Sequence, residues 1–307
     1  MIRQRLGKDL LFFDGGMGTL LQEKGLAPGE LPETWNLTHS EEIYKIHRQY
    51  IEAGSDIILT NTFGANALKF HDDSCSLEEI IKAAVSHVKK AEREALLQTG
   101  DERKIYTALD VGPTGKLLKP MGDLEFETAY EAFKEVVILG EQAGADLIHI
   151  ETMSDTYELK AAVLAAKENT SLPVFATVIF DERKKLLTGA DVSSVVALLE
   201  GLGVDALGIN CAMGPKEMLP VLEELIKYSS VPIIVKPNAG LPKQRDGKTY
   251  YDVTEDEFAA YMEQIVRMGA CVIGGCCGTT PEHIRAMTAV CLEIPYEPAG
   301  KKNLTMV

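Results

Sequence analysis

Six cysteines occur in the chain, and two of them are adjacent inside a glycine-rich stretch. The segment GGCCGTTPEH (274–283) places Cys276 and Cys277 directly after an apolar run. A third cysteine, Cys211, ends another apolar run, ALGINC (206–211). In a large chain without an export signal, such thiols bind metal, carry out chemistry or fill the core more often than they form disulfides.

The glycines around the cysteine pair decide where the two thiols can point. Adjacent residues of a regular strand face opposite sides, so Cys276 and Cys277 face one site only if the strand has already ended. Gly274, Gly275 and Gly278 provide that backbone freedom. Three thiolates around one ion describe a zinc site with an open fourth position, in which sulfur stays ionised and nucleophilic.

Other interpretations of the same residues remain open at this point. Neighbouring cysteines can form a redox pair, although a disulfide between them is strained. A glycine-rich turn after the last strand of a barrel is also a common phosphate-binding site. Cys211, taken alone, is typical of a small buried apolar residue.

Eight short apolar runs recur along the chain and alternate with helical patterns. The runs are rich in Val, Ile and Leu, as strands buried on both faces are. The predicted strands span 10–16, 56–63, 104–112, 146–153, 173–180, 206–211, 232–240 and 271–278. The predicted helices span 40–53, 77–97, 126–144, 156–169, 191–203, 215–229, 254–269 and 281–293.

This alternation predicts a single (β/α)8 TIM barrel over residues 1–293. Residues 294–307 are predicted to form a C-terminal linker or tail leading away from it. An open doubly wound sheet is less consistent, because DGGMGT (14–19) lacks the glycine spacing of a dinucleotide-binding turn. Glycines at the helix-to-strand joints, as in AGSDII (53–58) and AGADLI (143–148), indicate left-handed helix ends.

The predicted strand ends carry polar or thiol side chains although they follow apolar runs. In a barrel of this kind, the carboxyl ends of the strands form one mouth that carries the chemistry. One strand lies between Cys211 and the cysteine pair, and adjacent strands are about 4.8 Å apart, so the thiols can meet around a metal. The eight strand ends are Asp14, Asn61, Asp110, Glu151, Phe180–Asp181, Asn210–Cys211, Asn238 and Cys276–Cys277.

Composition limits the partners of the protein. The chain has 307 residues, with 31 Lys and Arg against 46 Asp and Glu, for a net charge of −15. This acidity argues against nucleic acid or an anionic membrane as a main partner. No apolar stretch reaches the length of about 18 residues that a spanning helix needs, and the N-terminus lacks a secretory apolar core. We therefore expect a soluble cytoplasmic protein.

Several motifs, in order along nearly the whole chain, resemble the homocysteine S-methyltransferase family. They are DGGMGT (14–19), TNTFGAN (60–66), ET (151–152), GINC (208–211), KPNAG (236–240) and GGCCGTTPEH (274–283). The resemblance implies a zinc-dependent (β/α)8 barrel that transfers a methyl group to the sulfur of homocysteine.

Two longer stretches, 33–66 and 122–153, are most similar to one branch of that family. This branch is the N-terminal homocysteine-binding module of the cobalamin-dependent methionine synthases. There a folate-binding barrel and cobalamin-binding domains follow the module. The resemblance therefore implies methylcobalamin as the methyl donor, carried on another domain or on a separate corrinoid protein.

The resemblance also implies ligands for the metal. Cys211, Cys276 and Cys277 are expected to bind zinc, with the homocysteine sulfur as the fourth ligand. We expect the amide oxygen of Asn238 to take the open position when no substrate is bound. Asn210 is expected to orient Cys211 through a hydrogen bond.

The remaining strand ends suit the polar ends of homocysteine. Asp14 and Glu151 are expected to bind the substrate ammonium. Asn61 and Asp110 are expected to line the same mouth. The backbone N–H groups of the first strand end are expected to form a concavity for the carboxylate; these are Gly15, Gly16, Met17, Gly18 and Thr19.

The sequence leaves three rival functions open. A free-standing methyltransferase of this family uses betaine or S-methylmethionine as donor. A non-catalytic docking module only presents the zinc-bound thiolate to a partner. A phosphate-binding barrel lyase uses the glycine-rich turn and needs no metal held by three thiols.

Overall fold

The computed structural model describes residues 1–70, 75–100, 103–245 and 248–295, so the predicted tail lies outside it beyond residue 295. Eight parallel strands form one sheet, in which the strand at 272–273 lies between those at 11–12 and 233–236 and the remaining neighbours follow the order of the chain. A parallel bridge between Phe13 and Ile57 joins its two ends. The predicted (β/α)8 barrel is confirmed.

The strands agree with the eight predicted runs, and two short additional strands form a hairpin. The barrel strands are β1 (Leu11–Phe12), β2 (Ile57–Leu59), β3 (Tyr106–Val111), β4 (Leu147–Met153), β5 (Val174–Val178), β6 (Ala206–Asn210), β7 (Ile233–Lys236) and β10 (Val272–Ile273). The antiparallel hairpin consists of β8 (Lys243–Arg245) and β9 (Lys248–Tyr250). The sequence patterns did not predict this hairpin.

Eight helices follow the strands around the barrel. They are α4 (Ser40–Glu52), α5 (Leu77–Thr99), α6 (Phe126–Ala143), α7 (Thr156–Asn169), α8 (Val192–Gly201), α9 (Pro215–Tyr228), α10 (Glu255–Met268) and α11 (Pro281–Cys291). The joints after α4, α6, α8 and α10 have the predicted left-handed glycines, with positive φ angles at Gly54, Gly144, Gly203 and Gly269. These turns end each helix and return the chain to the next strand.

The barrel interior is filled by side chains from alternate strand positions. Phe13, Phe175 and Ile234 belong to this inner cluster and are fully buried. A short N-terminal helix, α1 (Ile2–Arg5), contributes Ile2 to the same cluster. Cys271 also lies in it and is fully buried. Packing of this kind makes the barrel a solid support for the loops above it.

The long segment between β1 and α4 is ordered and packs against the loop after β2. It contains α2 (Met17–Glu23), a 3₁₀ turn (Pro32–Thr34) and α3 (Trp35–Thr38). The Asn36 amide donates to the carbonyl of Asn61 at 2.7 Å, and the Asn61 amide donates to the carbonyl of Pro32 at 2.7 Å. This insert therefore forms one wall of the barrel mouth.

Among the helices of the described segments, none combines the length and the apolar composition needed to cross a bilayer.

Gly208 in β6 is a position where the neighbouring backbone leaves no room for a side chain. A Cβ atom there would lie 1.9 Å from the carbonyl oxygen of Ile234 on β7. We expect Gly208→Ala to lower the free energy of unfolding by about 3 kcal/mol, because the ladder must shift. Urea denaturation measures the change.

Gly201→Ala is the matched control, because outside its own helix backbone no heavy atom of the described residues lies within 4 Å of a Cβ at this position. It should be neutral or stabilising by up to about 1 kcal/mol. Equal unfolding midpoints for the two variants would contradict the β6–β7 register.

Candidate metal centre

Three thiols converge at the carboxyl ends of β6 and β10, as the sequence indicated. The Sγ atoms of Cys211, Cys276 and Cys277 all lie within 4.8 Å of one another. The sulfur atoms of Cys211 and Cys277 are 3.8 Å apart. β7 lies between the two strands that carry them, as predicted.

The end of β6 leaves the strand conformation at Cys211. Cys211 and Ala212 have φ angles of 55° and 59°, in the left-handed region that side chains other than glycine rarely adopt. The Cys211 N–H still donates to the carbonyl of Lys236 at 3.0 Å, which holds the turn against β7. Strained backbone of this kind is typical of functional sites.

The glycine-rich turn after β10 is fixed from both sides. A Cβ atom on Gly274 would lie 2.5 Å from the Cβ of Phe13, and one on Gly275 would lie 2.2 Å from the Thr279 hydroxyl. The Cys276 N–H donates to the carbonyl of Pro237 at 2.9 Å. The strand thus ends at Ile273, and both cysteines follow in a turn.

The amide groups of this turn are already used, which argues against a phosphate cradle. The N–H groups of Gly274 and Gly275 donate to backbone carbonyls of Val235 and Asp14. That of Cys277 donates to the Asn238 Oδ1 at 3.0 Å, and that of Gly278 donates to the Thr19 hydroxyl at 3.3 Å. A phosphate would need these donors to be free.

Asn210 ties together the ends of three strands beside the thiols. Its Oδ1 accepts hydrogen bonds from the Thr152 N–H at 2.9 Å and the Thr177 hydroxyl at 2.8 Å. Its Nδ2 donates to the Thr152 hydroxyl at 2.8 Å and lies 3.9 Å from the Cys276 sulfur. The expected contact to a cysteine is therefore made with Cys276 rather than with Cys211.

The side chain of Asn238 contacts the backbone of the cysteine turn. The oxygen that we expected at the metal's open position accepts the hydrogen bond from the Cys277 N–H. Asn238 is buried and does not line the cavity. Its role as a metal ligand stays a prediction.

The spacing of the thiols suits a tetrahedral metal. Zinc–sulfur bonds of about 2.3 Å in tetrahedral geometry separate two sulfur atoms by about 3.8 Å, which is the Cys211–Cys277 distance. Cys211, Cys276 and Cys277 are free thiols and form no disulfide. The donor set of three thiols with an open side fits a thiophilic cation with one exchangeable position.

Mutual hydrogen bonds make the thiols unequal acids. The thiols of Cys276 and Cys277 lower the pKa of Cys211 to about 3. The hydrogen bond between Cys276 and Cys211 raises the pKa of Cys276. The hydrogen bond between Cys277 and Cys211 raises the pKa of Cys277 to about 12. One thiol of the three therefore loses its proton readily, whereas ionisation of all three needs a nearby cation.

A cavity of about 310 Å³ opens above the sulfur atoms. Asp14, Asn210 and Asn238, which the sequence also indicated, lie behind its wall. The predicted residues that line it are Gly15, Gly16, Met17, Gly18, Thr19, Asn61, Asp110, Glu151, Cys211, Cys276 and Cys277.

The first strand end packs against the cysteine turn. The Gly16 N–H donates to the carbonyl and the hydroxyl of Thr279 at 3.2 and 3.1 Å, so it is not free for a substrate carboxylate. The Tyr50 hydroxyl donates to the carbonyls of Gly16 and Thr279, both at 3.1 Å. The carboxylate role predicted for this segment therefore stays a prediction for its other N–H groups alone.

A buried ion pair lies on the floor of the cavity. The Lys236 Nζ is 2.6 Å from the Glu151 Oε2 and 4.6 Å from the centre of the Phe13 ring. Burial is the largest influence on Glu151 and opposes its ionisation, but Lys236 and His149 together outweigh it and hold its pKa at about 2. His149 lies 3.2 Å from the same oxygen, and burial lowers its pKa to about 4.

Lys236 is the main site residue that the sequence reasoning missed. It ends the run PIIVK (232–236), where a lysine after four apolar residues was the available signal. Tyr50 and Thr279 were also missed, because their roles depend on contacts across the barrel. Tyr251 packs against Gly278, 2.3 Å from where a Cβ would lie, and belongs to the loop that follows the unpredicted hairpin.

The fold and the site define a class: (β/α)8 barrels with a three-thiol centre at the carboxyl ends of the strands. The family model of homocysteine S-methyltransferases matches residues 11–291. The chain belongs to the homocysteine S-methyltransferase family.

The chain is similar in sequence to curated proteins that are much longer. It is 35% identical over 316 residues to the methionine synthase of Mycobacterium leprae (strain TN), covering 98% of this chain and 26% of that protein. It is 34% identical over 321 residues to the methionine synthase of Mycobacterium tuberculosis (strain ATCC 25618 / H37Rv), covering 98% and 27%. The chain thus spans about a quarter of the length of these relatives.

Solved structures show the same fold. The homocysteine methyltransferase MmuM from Escherichia coli superposes with a TM-score of 0.79 at 26% identity, covering 92% of this chain and 96% of that chain. This value holds for both its metallated and its oxidised crystal form.

Lys236→Met tests the buried ion pair, because it leaves the Glu151 carboxylate buried without a counterion. We expect the free energy of unfolding at neutral pH to fall by about 3–5 kcal/mol. Glu151→Gln combined with Lys236→Met should recover most of the loss, because no lone charge remains. Urea denaturation of the single and double variants gives the coupling energy.

The pH dependence supplies a second check on the same pair. The folded-state pKa of Glu151 is lowered, so its stabilisation is present above 4.5 and is lost as the pH falls to about 2. The wild-type protein should lose stability across this window more steeply than the double variant. Parallel curves would contradict the assignment.

Proposed function

We propose that this chain binds homocysteine, holds its sulfur as a thiolate on zinc, and transfers a methyl group to it to give methionine. The observation that carries the proposal is the trio of Cys211, Cys276 and Cys277 at the end of an amino-acid-sized cavity. Membership of the homocysteine S-methyltransferase family supports it.

Zinc bound there would keep the thiol ligands and the incoming sulfur ionised near neutral pH. The chain's own residues set the geometry of this centre. Asn238 holds the Cys277 backbone, and Asn210 lies against the Cys276 sulfur. Fixed ligands keep the open side directed into the cavity.

The polar ends of the amino acid meet complementary groups on the cavity wall. Glu151, kept ionised by Lys236, is directed at the ammonium, with Asp14 behind it. The N–H groups of Met17, Gly18 and Thr19, at the start of α2, take the carboxylate. With its ammonium and its carboxylate both bound, the amino acid would hold its sulfur next to the three thiols.

The methyl donor approaches through the mouth. We propose methylcobalamin held by another domain or by a separate corrinoid protein, because the methionine synthases that this chain resembles are much longer. In that reaction the sulfur–carbon bond forms, the cobalt–carbon bond breaks, and its electron pair stays with the corrinoid. Folate-binding and cobalamin-binding domains are the corresponding partners. A cytoplasmic location belongs to the same proposal.

Metal analysis tests the centre directly. We expect stoichiometric zinc in the purified protein and loss of most of it in Cys276→Ser, because two thiols and a hydroxyl bind zinc far more weakly. Cys75→Ser is the control, since this cysteine lies outside the trio. Full zinc retention in Cys276→Ser would overturn the assignment.

Isotope transfer tests the reaction. Zinc-loaded protein is incubated with homocysteine and a ¹³C-methyl donor, and labelled methionine is measured by mass spectrometry. We expect methionine from methylcobalamin and none above the uncatalysed rate with Cys276→Ser. Turnover only with betaine or S-methylmethionine would assign a free-standing enzyme. Homocysteine binding without turnover on any donor would assign a docking module.

A further inference from the structure

Three carboxyl groups and one ammonium lie together at the floor of the cavity or directly behind it. Asp14, Asp110 and Glu151 come from the ends of β1, β3 and β4, and Lys236 comes from the end of β7. All four side chains are buried, with exposed fractions of 7% or less. Lys236 therefore faces three carboxyl groups, and of these it forms an ion pair with Glu151.

Because Lys236 pairs with Glu151, it does not form an ion pair with either aspartate. The Asp14 Oδ2 accepts a hydrogen bond from the Leu59 N–H at 2.9 Å. Within the described part of the chain, the Asp14 Oδ1 and the Asp110 Oδ1 are buried and have no hydrogen-bond partner. A buried carboxylate without partners is strongly disfavoured, whereas the protonated form is tolerated.

The charged groups around Asp110 reinforce this protonation. It faces Glu151, Asp14 and Glu33, which disfavour a further negative charge, and Lys236, which favours one. Burial first, and then the Glu151 carboxylate, raise the pKa of Asp110 well above its ordinary range. Burial raises the pKa of Asp14 to about 7, with Lys236, Glu151 and the Tyr50 ring as its neighbours.

Asp110 lines the cavity, whereas Asp14 lies behind the wall. An amino-acid ammonium placed beside Glu151 comes next to the Asp110 carboxyl as well. The ammonium would supply the missing donor and the missing positive charge together. The protonated carboxyl then becomes the less stable form, and its proton leaves to solvent.

We propose that Asp110 is a third carboxyl of the substrate site, which is neutral in the empty cavity and exchanges its proton for the ammonium of the bound amino acid. The inference deepens the proposed function and rests on it. No bond is made or broken other than the O–H bond of Asp110. Binding of homocysteine then releases this proton in addition to the thiol proton.

Methionine separates the two protons, because it carries the ammonium but no thiol. Calorimetric titration at neutral pH, in buffers of different ionisation enthalpy, counts the protons released per ligand bound. We expect wild-type zinc-loaded protein to release about one proton on binding methionine. Asp110→Asn should release close to none and should bind methionine about tenfold more weakly, because a charged partner of the ammonium is lost.

Two matched variants and one analogue complete the design. Asp123→Asn, an exposed aspartate in the same β3–α6 loop, should behave as wild type. Glu33→Gln removes another cavity carboxyl with a buried oxygen that lacks a partner among the described residues, and this variant should still release a proton on binding methionine, unlike Asp110→Asn. 4-Sulfanylbutanoate, which lacks the ammonium, should release the same number of protons from wild type and Asp110→Asn.

The carboxyl can also be observed without a variant. Infrared difference spectra of the wild-type protein should lose a protonated-carboxyl stretch when methionine binds, and this reading applies even if Asp110→Asn fails to fold. Methionine binding without proton release or loss of this band would overturn the inference and leave the proposed function intact. Proton release retained in Asp110→Asn would also overturn it. Failure of both homocysteine and methionine to bind would overturn the proposed function, and the inference with it.

Discussion

Three sulfur atoms can share one ion only if two strands stop at matching heights on the barrel rim. Cys211 achieves this at the end of β6 by adopting a left-handed backbone conformation, and the cysteine pair does so by following glycines after β10. β7 lies between the two ends and anchors both turns through the carbonyls of Lys236 and Pro237. The rest of the site depends on this convergence.

Polar groups around the thiols are arranged so that the metal and the substrate provide what the protein lacks. The raised pKa of Cys276 disfavours full ionisation of the trio without a cation, and among the described residues no donor reaches one oxygen of Asp110. The Lys236–Glu151 pair, in contrast, is complete without any ligand. Under the proposed function, the metal and the ammonium of the amino acid would supply the partners that these groups lack.

Irregular segments shape the mouth above this floor. The insert between β1 and α4 is held by reciprocal amide–carbonyl bonds that involve Asn36 and Asn61. The loop after the β8–β9 hairpin places Tyr251 against the cysteine turn. The insert lines the cavity above the thiols through Leu31, Pro32 and Glu33.

The sequence alone determined the strand number, the helix positions and the strand ends that meet. These features depend on strands buried on both faces and on turns, and both are recognisable from the residue types of short segments. It also indicated the three thiols, since glycines beside cysteines at strand ends are a local signal. Only the tertiary structure decided that Lys236 neutralises Glu151, that Asn210 reaches Cys276, and that Thr279 occupies the Gly16 N–H. Each of these contacts joins residues more than fifty positions apart, and their distances depend on barrel closure, which no local pattern encodes.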